Sequence, residues 1–254
     1  MVIEIIIPAY NEEKRIGGTL ERLRAYASVC RWTMRVTVAD DGSTDGTARV
    51  VEDMAAQWPA VRLLRLEKNR GKGAAVRTGM LAAAADADLL LLSDADLAAP
   101  IEEIEKLLPH AEHAAVIIGS RALDRTLIRI HQPMHREVMG MVYNLFVQAL
   151  LLPGLWDTQC GFKLFRAAAA KDIFEECRTD GFSYDVEALR LAVQKGYTVE
   201  EIPVAWSHME ESRVRLVSAP WNMFSELWTI YRRLGRGRRV FRSCAGGGFP
   251  RRNP

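Results

Sequence analysis

The sequence has few cysteines and none of the spacings that hold structural metals. Its 254 residues contain four cysteines, at Cys30, Cys160, Cys177 and Cys244, and no two of them form a CxxC pattern. This scatter is typical of reduced thiols and excludes a disulfide framework. The sequence also lacks a basic and apolar leader, and no uncharged apolar run reaches the roughly 18 residues that a membrane-spanning helix needs. We therefore expect a cytoplasmic chain without a secretory signal or a transmembrane helix.

Acidic residues are absent from the C-terminal segment. Residues 231–254 contain eight arginines and no Asp or Glu, although the whole chain has a formal net charge of only +2. Such a segment indicates an anionic partner, either a membrane surface or a nucleic acid. The neighbouring aromatic residues cluster in a predicted helix at 219–234 and form no stacking platform. We therefore expect an anionic membrane surface as the partner and no nucleic acid.

The chain does contain a regular alternation of short apolar runs and helical patterns. Five apolar runs are predicted strands, at residues 2–8, 35–39, 61–66, 88–93 and 115–119. Strands separated by helices predict an α/β fold with a mostly parallel sheet flanked by helices. We place this domain at residues 1–216, and an amphipathic helix with the basic tail at residues 217–254.

Each predicted strand is followed by a polar cluster. The clusters are Pro8–Glu12, Asp40–Ser43, Asn69–Gly73, Asp94–Asp96 and Gly119–Arg121. Any one of them is more typical of a turn, because Asn, Asp and Gly form turns for local reasons. However, ligands of open parallel sheets bind outside the carboxyl ends of the strands. Five clusters rich in carboxylates therefore predict a binding site along one edge of the sheet.

The clusters suggest their own chemistry. Asp94 and Asp96 can present oxygens to one divalent cation, which would bridge a diphosphate and offset the charge of a leaving group. The alternative is a solvated loop in which Asp96 caps the next helix. In Asn69–Gly73, backbone N–H groups at a helix start can bind phosphate. The spacing matches neither a P-loop nor GxGxxG, which excludes an ATPase and a nicotinamide-dependent dehydrogenase. In the second cluster we assign helix capping to Asp45.

These stretches resemble the inverting family 2 glycosyltransferases with the GT-A (Rossmann-like) fold. The resemblance lies in Ile5–Glu13, Asp40–Thr47, Asn69–Gly73 and Asp94–Leu97. Three later stretches, Asp157–Phe165, Phe182–Glu187 and Ser212–Val214, narrow it to dolichyl-phosphate glucosyltransferases and mannose synthases, and it is closer to the former. The resemblance covers residues 2–216.

The resemblance implies roles for individual residues. The residues expected to bind the nucleotide sugar are Pro8, Tyr10, Glu12, Asp40 or Asp41, Lys72, Asp94 and Ala95. Mg²⁺ or Mn²⁺ is expected at Asp94 and Asp96, and the acceptor phosphate at Arg136, Ser212 and Arg213. Catalysis is expected to depend on Asp96, on Arg121 near the sugar diphosphate or the acceptor phosphate, and on Asp185 as a base or a sugar-binding carboxylate.

One departure from the mannose synthase pattern affects the metal and the sugar. That pattern has a glutamine as a further metal ligand two residues after its second Asp, where this sequence has Ala98. The departure favours glucose over mannose. It also implies a loosely held, partly hydrated metal with Asp96 as the main protein ligand and Asp94 on the nucleoside side.

The expected reaction is metal-dependent transfer of glucose from UDP-glucose to polyprenyl or dolichyl phosphate, on the cytoplasmic face of a membrane. A phosphate acceptor is already an anion and needs cations and a metal more than a base, whereas a hydroxyl acceptor needs a carboxylate to take its proton. Two alternatives stay open. One is the same donor site with a soluble or glycan hydroxyl acceptor, and the other is a non-catalytic nucleotide-sugar binding module.

Two apolar patterns in the C-terminal half are candidates for contact with a membrane. Met139–Leu152 is apolar nearly all round and too short to span a bilayer, and it is equally consistent with a buried core helix. Ala219–Tyr231 combines Trp and Phe with adjacent arginines, which suits an interfacial helix or an ordinary surface helix. We expect salt-sensitive binding to anionic vesicles.

Overall fold

The computed structural model describes residues 1–209 and 219–236. The strands are β1 (Val2–Ala9), β2 (Thr33–Asp40), β3 (Val61–Arg65), β4 (Leu89–Leu92), β5 (Val116–Ser120), β6 (Ile128–Ile130), β7 (Lys163–Arg166), β8 (Val199–Pro203) and β9 (Trp206–Ser207). The α-helices are α1 (Ile16–Ala27), α2 (Thr47–Gln57), α3 (Lys72–Leu81), α4 (Ile104–Leu107), α5 (Met134–Leu150), α6 (Ala167–Glu176), α7 (Tyr184–Gln194) and α8 (Ala219–Leu234). The predicted boundary between residues 216 and 217 lies outside the described ranges and stays a prediction.

Seven strands form the main sheet in the order β3-β2-β1-β4-β7-β5-β8. Neighbouring strands are parallel except at β7, which is antiparallel to both β4 and β5. The predicted α/β fold with a mostly parallel sheet is confirmed. The chain leaves β1 for β2 on one side and reaches β4 on the other, so the strand order reverses at β1. A crevice opens at such a reversal, beyond the carboxyl ends of β1 and β4.

The sheet is buried on both faces by helices. In β1, Ile3, Ile5 and Ile7 point into one core, whereas Ile6 points into the other. This alternation follows from the two-residue period of a strand. All four leucines of β4 are buried, as expected for a central parallel strand covered by helices on each face. The rigid centre of the sheet therefore positions the loops that follow β1 and β4.

Helix α5 is mostly exposed, so the predicted alternative of a buried core helix is wrong. Within it only Tyr143 and Val147 are buried. The exposed apolar side chains that recur at helical spacing, which we call the α5 stripe, are Met134, Val138, Met141, Val142 and Leu145. This spacing places them on one face. No helix in the described ranges is both long and apolar enough to cross a membrane.

Helix α8 packs beside α5 and has both apolar and exposed positions. Leu227 and Ile230 are buried, which supports the interpretation of a surface helix packed on the domain. Phe224 contacts α5, because its ring lies 5.3 Å from that of Phe146 in an edge-to-face arrangement. Trp228 remains 56% exposed. One apolar side of α8 is therefore used for packing, and Trp228 is a further exposed apolar side chain of the C-terminal half.

Candidate active site

The loop after β4 places two carboxylates at the crevice. Asp94 accepts a hydrogen bond from Lys72, with 2.6 Å between Oδ1 and Nζ. Burial raises the pKa of Asp94, but the charge and hydrogen bond of Lys72, together with the charges of Lys163 and Arg121, hold this pKa below its usual value. Burial and the neighbouring charge of Asp94 raise the pKa of Asp96. The two adjacent carboxylates and one lysine therefore share a single electrostatic environment.

One alternative prediction, in which Asp96 caps the next helix, is wrong. Asp96 Oδ1 accepts a hydrogen bond from the backbone N–H of Ala98 at 3.0 Å, which closes a local turn. The next helical turn, a 3-10 turn, begins only at Ile101, directly after Pro100. The second carboxylate oxygen of Asp96, Oδ2, lies 4.0 Å from Arg15 Nη1. The Asp96 carboxylate therefore remains at the crevice.

The carboxylate pair fits a metal that is shared with a diphosphate. In residues 1–209 and 219–236, no three His, Cys, Asp or Glu side chains converge as a complete metal site. Mg²⁺, however, is commonly held by one or two carboxylates together with substrate phosphates and water. Asp94 and Asp96 supply hard oxygen donors of this kind. The donor set therefore suits a divalent cation that arrives with a nucleotide sugar.

A glycine allows the Asp94 carboxylate to occupy its position. Gly161, in the loop before β7, lies against this carboxylate, and a Cβ atom at residue 161 would overlap it. A side chain of any size would therefore displace Asp94, because glycine alone permits so close an approach. The small cavity beside Asp94 is also lined by Trp206. The loop before β7 is thus part of the site, although it is far from Asp94 in sequence.

The two carboxylates at the end of β2 form hydrogen bonds and ion pairs with other groups of the protein. Asp41 accepts hydrogen bonds from the backbone N–H groups of Arg70 and Gly71, both at 2.8 Å. Asp40 is fully buried and pairs with Ser43 and with Arg65. Donor contact by Asp40 or Asp41 stays a prediction. In the structure both residues hold loops together.

Three of the five backbone N–H groups of the loop Asn69–Gly73 are already used within the protein, so they cannot form the phosphate cradle that we predicted. The N–H groups of Arg70 and Gly71 bind Asp41, and that of Gly73 donates to the carbonyl of Asp180 at 2.8 Å. These donors are saturated, since each backbone N–H carries one proton. The side chain of Lys72, which reaches Asp94, is the group of this loop that lies at the carboxylate pair.

The loop after β1 is tied to the loop after β2 by Asn11, which the sequence analysis did not single out. Asn11 Oδ1 accepts from the backbone N–H of Thr44 at 2.8 Å, and its own N–H donates to Ser43 Oγ at 2.8 Å. Its φ of 56° is left-handed, a region that asparagine tolerates. Asp45 accepts from the N–H of Thr47, the first residue of α2, at 3.0 Å, but the prediction that Asp45 is the N-cap of this helix is wrong. It lies one position before the N-cap, which is Gly46.

The other residues predicted at the donor site differ in accessibility. Tyr10 is 40% exposed at the crevice, whereas Pro8 is buried within β1. Glu12 pairs with Arg15 at the start of α1. The side chain of Ala95 is buried, and its carbonyl accepts a hydrogen bond from the Thr19 hydroxyl at 2.5 Å. Ala95 therefore holds the loop onto α1 through its backbone.

A second group of side chains forms a cleft next to the carboxylates, which we call the arginine cleft. It has a volume of about 140 Å³, and the cations that line it are Arg121, Arg125 and Arg136. Trp206 lines both this cleft and the small cavity beside Asp94. The charge of Arg121 also contributes to lowering the pKa of Asp94. The cleft and the carboxylate pair are therefore adjacent.

A family model provides the first comparison with known proteins. The model described as "Glycosyl transferase family 2" matches residues 4–174 of this chain. The chain belongs to glycosyl transferase family 2. Its relatives include a dolichyl-phosphate beta-glucosyltransferase of Trichomonas vaginalis, which is 34% identical over 222 residues and covers 83% of this chain and 65% of its own length. The chain therefore spans about two thirds of that relative's length.

Two further comparisons agree with this family. A dolichyl-phosphate beta-glucosyltransferase of Saccharomyces cerevisiae is 32% identical over 249 residues, which cover 90% of this chain and 73% of the yeast protein. Among solved structures, glucosyl-3-phosphoglycerate synthase of Mycobacterium tuberculosis in complex with Mn²⁺, UDP and phosphoglyceric acid matches with a TM-score of 0.66. The two chains are 16% identical, and the match covers 92% of this chain and 79% of the synthase chain. At this identity the match shows the fold alone, which is the predicted GT-A fold.

In this family 2 transferase, Asp185 lies in the first turn of α7 and is buried. It accepts a hydrogen bond from Lys163 Nζ at 2.5 Å, and Lys163 also donates to the carbonyl of Cys160 at 2.6 Å. Burial raises the pKa of Asp185, whereas the charge of Lys163 opposes the increase. This geometry suits a carboxylate that organises the interior more than a base that approaches an acceptor, and the predicted catalytic role stays a prediction.

The predicted acceptor residues of this family 2 transferase are only partly within the described ranges. Arg136 lies on α5 and lines the arginine cleft together with Arg121. Ser212 and Arg213 lie outside the described residues. Sequence reasoning missed Asp157, Lys163 and Trp206 as site residues. The only signal available was that the first two lie in one of the stretches that carried the family resemblance.

Proposed function

We propose that this chain transfers glucose from UDP-glucose to the phosphate of a polyprenol such as dolichol, with inversion and with a divalent cation. The observation that carries the proposal is the position of the arginine cleft between the carboxylate pair and the α5 stripe. Helix α5 contributes Arg136 and Met141 to the cleft, and Met141 also belongs to the stripe. A lipid chain lying along the stripe would therefore bring its phosphate to the arginines.

The charges of the site support a phosphate acceptor. A phosphate monoester is an anion near neutral pH, so it needs cations to position it and no strong base to activate it. Arg121 and Arg136 meet this requirement. A hydroxyl acceptor would need an accessible carboxylate, whereas Asp185 is buried and paired with Lys163.

Asp94 and Asp96 would hold the cation that the donor diphosphate shares. When bound, Mg²⁺ or Mn²⁺ neutralises charge that develops on the leaving UDP. Lys72 donates to Asp94 and stands at the start of α3, where it can also reach a donor phosphate oxygen. The names of the relatives support glucose and dolichyl phosphate, and a solved neighbour with UDP and Mn²⁺ supports the donor and the cation.

The proposed acceptor requires contact with a membrane. The α5 stripe and Trp228 provide exposed apolar surface, and two arginines at and just after the end of α8, Arg232 and Arg236, are exposed. Apolar and basic groups side by side suit the surface of an anionic bilayer. We propose peripheral binding on the cytoplasmic face.

The experiment is an assay of glucosyl transfer by the purified chain, with UDP-glucose, Mg²⁺ or Mn²⁺ and a short polyprenyl phosphate. We expect a glucosyl phospholipid product that requires the cation and the phosphate. Asp96→Asn should lower kcat by about 100- to 1,000-fold, because the leaving-group charge loses its main protein support. Asp53→Asn, an exposed carboxylate on α2, is the matched control.

Other outcomes would select the alternatives. Hydrolysis of UDP-glucose with transfer only to a soluble sugar or glycan would favour a hydroxyl acceptor. Binding of UDP-glucose without any turnover would favour a non-catalytic nucleotide-sugar module. Equal activity with GDP-mannose would contradict the assigned donor.

A further inference from the structure

Arg121 is held more firmly than any other cation of the arginine cleft. Its Nε and Nη2 donate to the two oxygens of Asp157 at 2.7 and 2.8 Å, and its backbone N–H donates to the same carboxylate at 2.8 Å. The guanidinium carbon also lies 5.2 Å from the centre of the Trp206 ring. A bidentate pair combined with an aromatic face fixes the plane of a guanidinium.

This clamp leaves one donor group free. In the part of the chain that the structure describes, Arg121 Nη1 has no hydrogen-bond partner, because both contacts with Asp157 use the other two nitrogens. Asp157 is itself fixed, since its backbone N–H donates to Glu201 at 2.7 Å. The direction in which Arg121 can offer its remaining N–H protons is therefore set by Asp157.

The same pairing reduces the charge of the cleft. Asp157 is buried, which raises its pKa, but the charge and the hydrogen bonds of Arg121 together overcome this effect and hold the pKa of Asp157 below its usual value, so the pair is ionised and its net charge is zero. Arg125 is paired with Glu137 at 2.7 Å. Among the described residues, Arg136 makes no ion pair and supplies the net positive charge.

From this geometry we infer that Asp157 is a positioning residue that orients Arg121 for transfer. Its negative charge at the same time weakens the attraction of the cleft for the anionic acceptor. The inference rests on the proposed function, because it assumes an acceptor that carries a phosphate. Asp157 touches neither donor nor acceptor in this scheme and acts only through Arg121. Orientation affects the transition state, whereas net charge affects binding of the ground state as well.

The test compares wild type, Asp157→Asn, Arg121→Lys and the double variant with UDP-glucose, Mg²⁺ and varied polyprenyl phosphate. In Asp157→Asn we expect kcat to fall by about 10- to 100-fold, because a small displacement of the Arg121 guanidinium from its position in the transition state lowers the rate by this factor. The KM for the lipid phosphate should fall by about two- to fivefold, because Arg121 gains net charge. Loss of a merely structural residue would raise KM or leave it unchanged.

The double variant tests whether Asp157 works through Arg121. In the Arg121→Lys background, Asp157→Asn should change kcat by less than about twofold, since residues that act as a unit are not additive. Additive effects, or a KM that rises while kcat falls, would overturn the inference. If wild type transfers nothing to a phosphate acceptor, the proposed function fails and the inference fails with it. A normal wild type without the split in KM and kcat refutes the inference alone.

Asp157→Asn removes a charge from a buried pair, so its folding is checked by thermal unfolding monitored by circular dichroism. If it does not fold, Asp157→Glu replaces it. That variant keeps the charge and displaces the carboxylate by one methylene group, so we expect an unchanged KM and a kcat lowered by about tenfold. An unchanged kcat in folded Asp157→Glu would refute the inference.

Discussion

The loops on the donor side and the arginine cleft use their polar groups in opposite ways. On the donor side, Asn11 and Asp41 form hydrogen bonds with neighbouring loops. The groups that face the crevice and can bind a ligand are chiefly the carboxylate pair and Lys72. In the cleft, Arg136 is unpaired in the described structure and the adjacent α5 stripe is exposed. A rigid frame suits a small soluble donor, whereas an open surface suits an amphiphilic acceptor. Many polar residues of a binding motif can therefore serve to hold the loops around the site in place, and we call these bonded loops the frame.

Gly161 lies against Asp94 in the small cavity that shares Trp206 with the arginine cleft, and among the variants that test this comparison it gives the largest expected effect. In Gly161→Ala the new methyl group would overlap the Asp94 carboxylate and push it from the crevice. We expect kcat for glucosyl transfer to fall by about 100-fold, because a displacement of this size at the reacting centre is costly. Initial rates at saturating UDP-glucose and Mg²⁺ measure it.

The matched control for this prediction is Gly18→Ala. Gly18 lies in α1, and nothing lies within 4 Å of an added Cβ atom there. This variant should keep the wild-type rate and gain stability, because alanine favours a helix over glycine by about 1 kcal/mol. Equal rates in Gly161→Ala and wild type would mean that Asp94 is not confined, and the contrast between a rigid and an open region would be lost.

Strand β4 and the polar loop after it could be predicted from the sequence because their signals are local. The four leucines of β4 and the carboxylates that follow lie within eight residues, so the strand and its polar end appear in one pattern. In contrast, Arg121 and Asp157 pair across 36 residues, and Lys163 and Asp185 across 22. Pairing over such distances depends on the fold, which no local pattern records.

Strand β7 shows the same limit for secondary structure. Its four residues begin with Lys163 and end with Arg166, so the stretch has the composition of a loop. Lys163 is nevertheless buried, because Asp185 and the Cys160 carbonyl compensate its charge. The antiparallel strand that brings Gly161 and Asp157 to the site was therefore hidden by a buried ion pair.

The interpretation of Asp41 as a residue that holds the frame predicts a loss of stability. Asp41→Ala removes a buried carboxylate and both acceptors from the N–H groups of Arg70 and Gly71. We expect the free energy of unfolding to fall by about 2–3 kcal/mol, as for other buried groups that lose a charged partner. Urea denaturation measures it, with Asp53→Ala as the exposed control.

The result for Asp41 would also sharpen the comparison of the two regions. A variant of wild-type stability with a much larger KM for UDP-glucose would show that Asp41 contacts the donor. That result would restore the sequence prediction for Asp40 or Asp41. A less stable variant whose KM changes little would assign Asp41 to the frame.

The smallest effect is expected on the open side, at the α5 stripe. Leu145 is 67% exposed and is the C-terminal residue of the stripe. Leu145→Glu should weaken binding to phosphatidylserine-containing vesicles by about tenfold, because burial of a leucine in the interface contributes on the order of 1.5–3 kcal/mol and a carboxylate is repelled by anionic lipid. Val29→Glu is the matched control, because Val29 is 73% exposed near the end of α1, away from α5.

Salt separates the apolar and the electrostatic parts of this binding. A chain truncated after residue 236 loses the arginines that follow α8, and each contributes about 1 kcal/mol near an anionic surface at low ionic strength. Truncation should therefore remove the part of vesicle pelleting that salt weakens, whereas Leu145→Glu should mainly remove the part that persists in salt. Equal pelleting of wild type and truncated protein would refute the electrostatic contribution. Equal pelleting of wild type and Leu145→Glu would mean that the exposed stripe does not contact the bilayer, and the acceptor would then have to reach the arginine cleft by another surface.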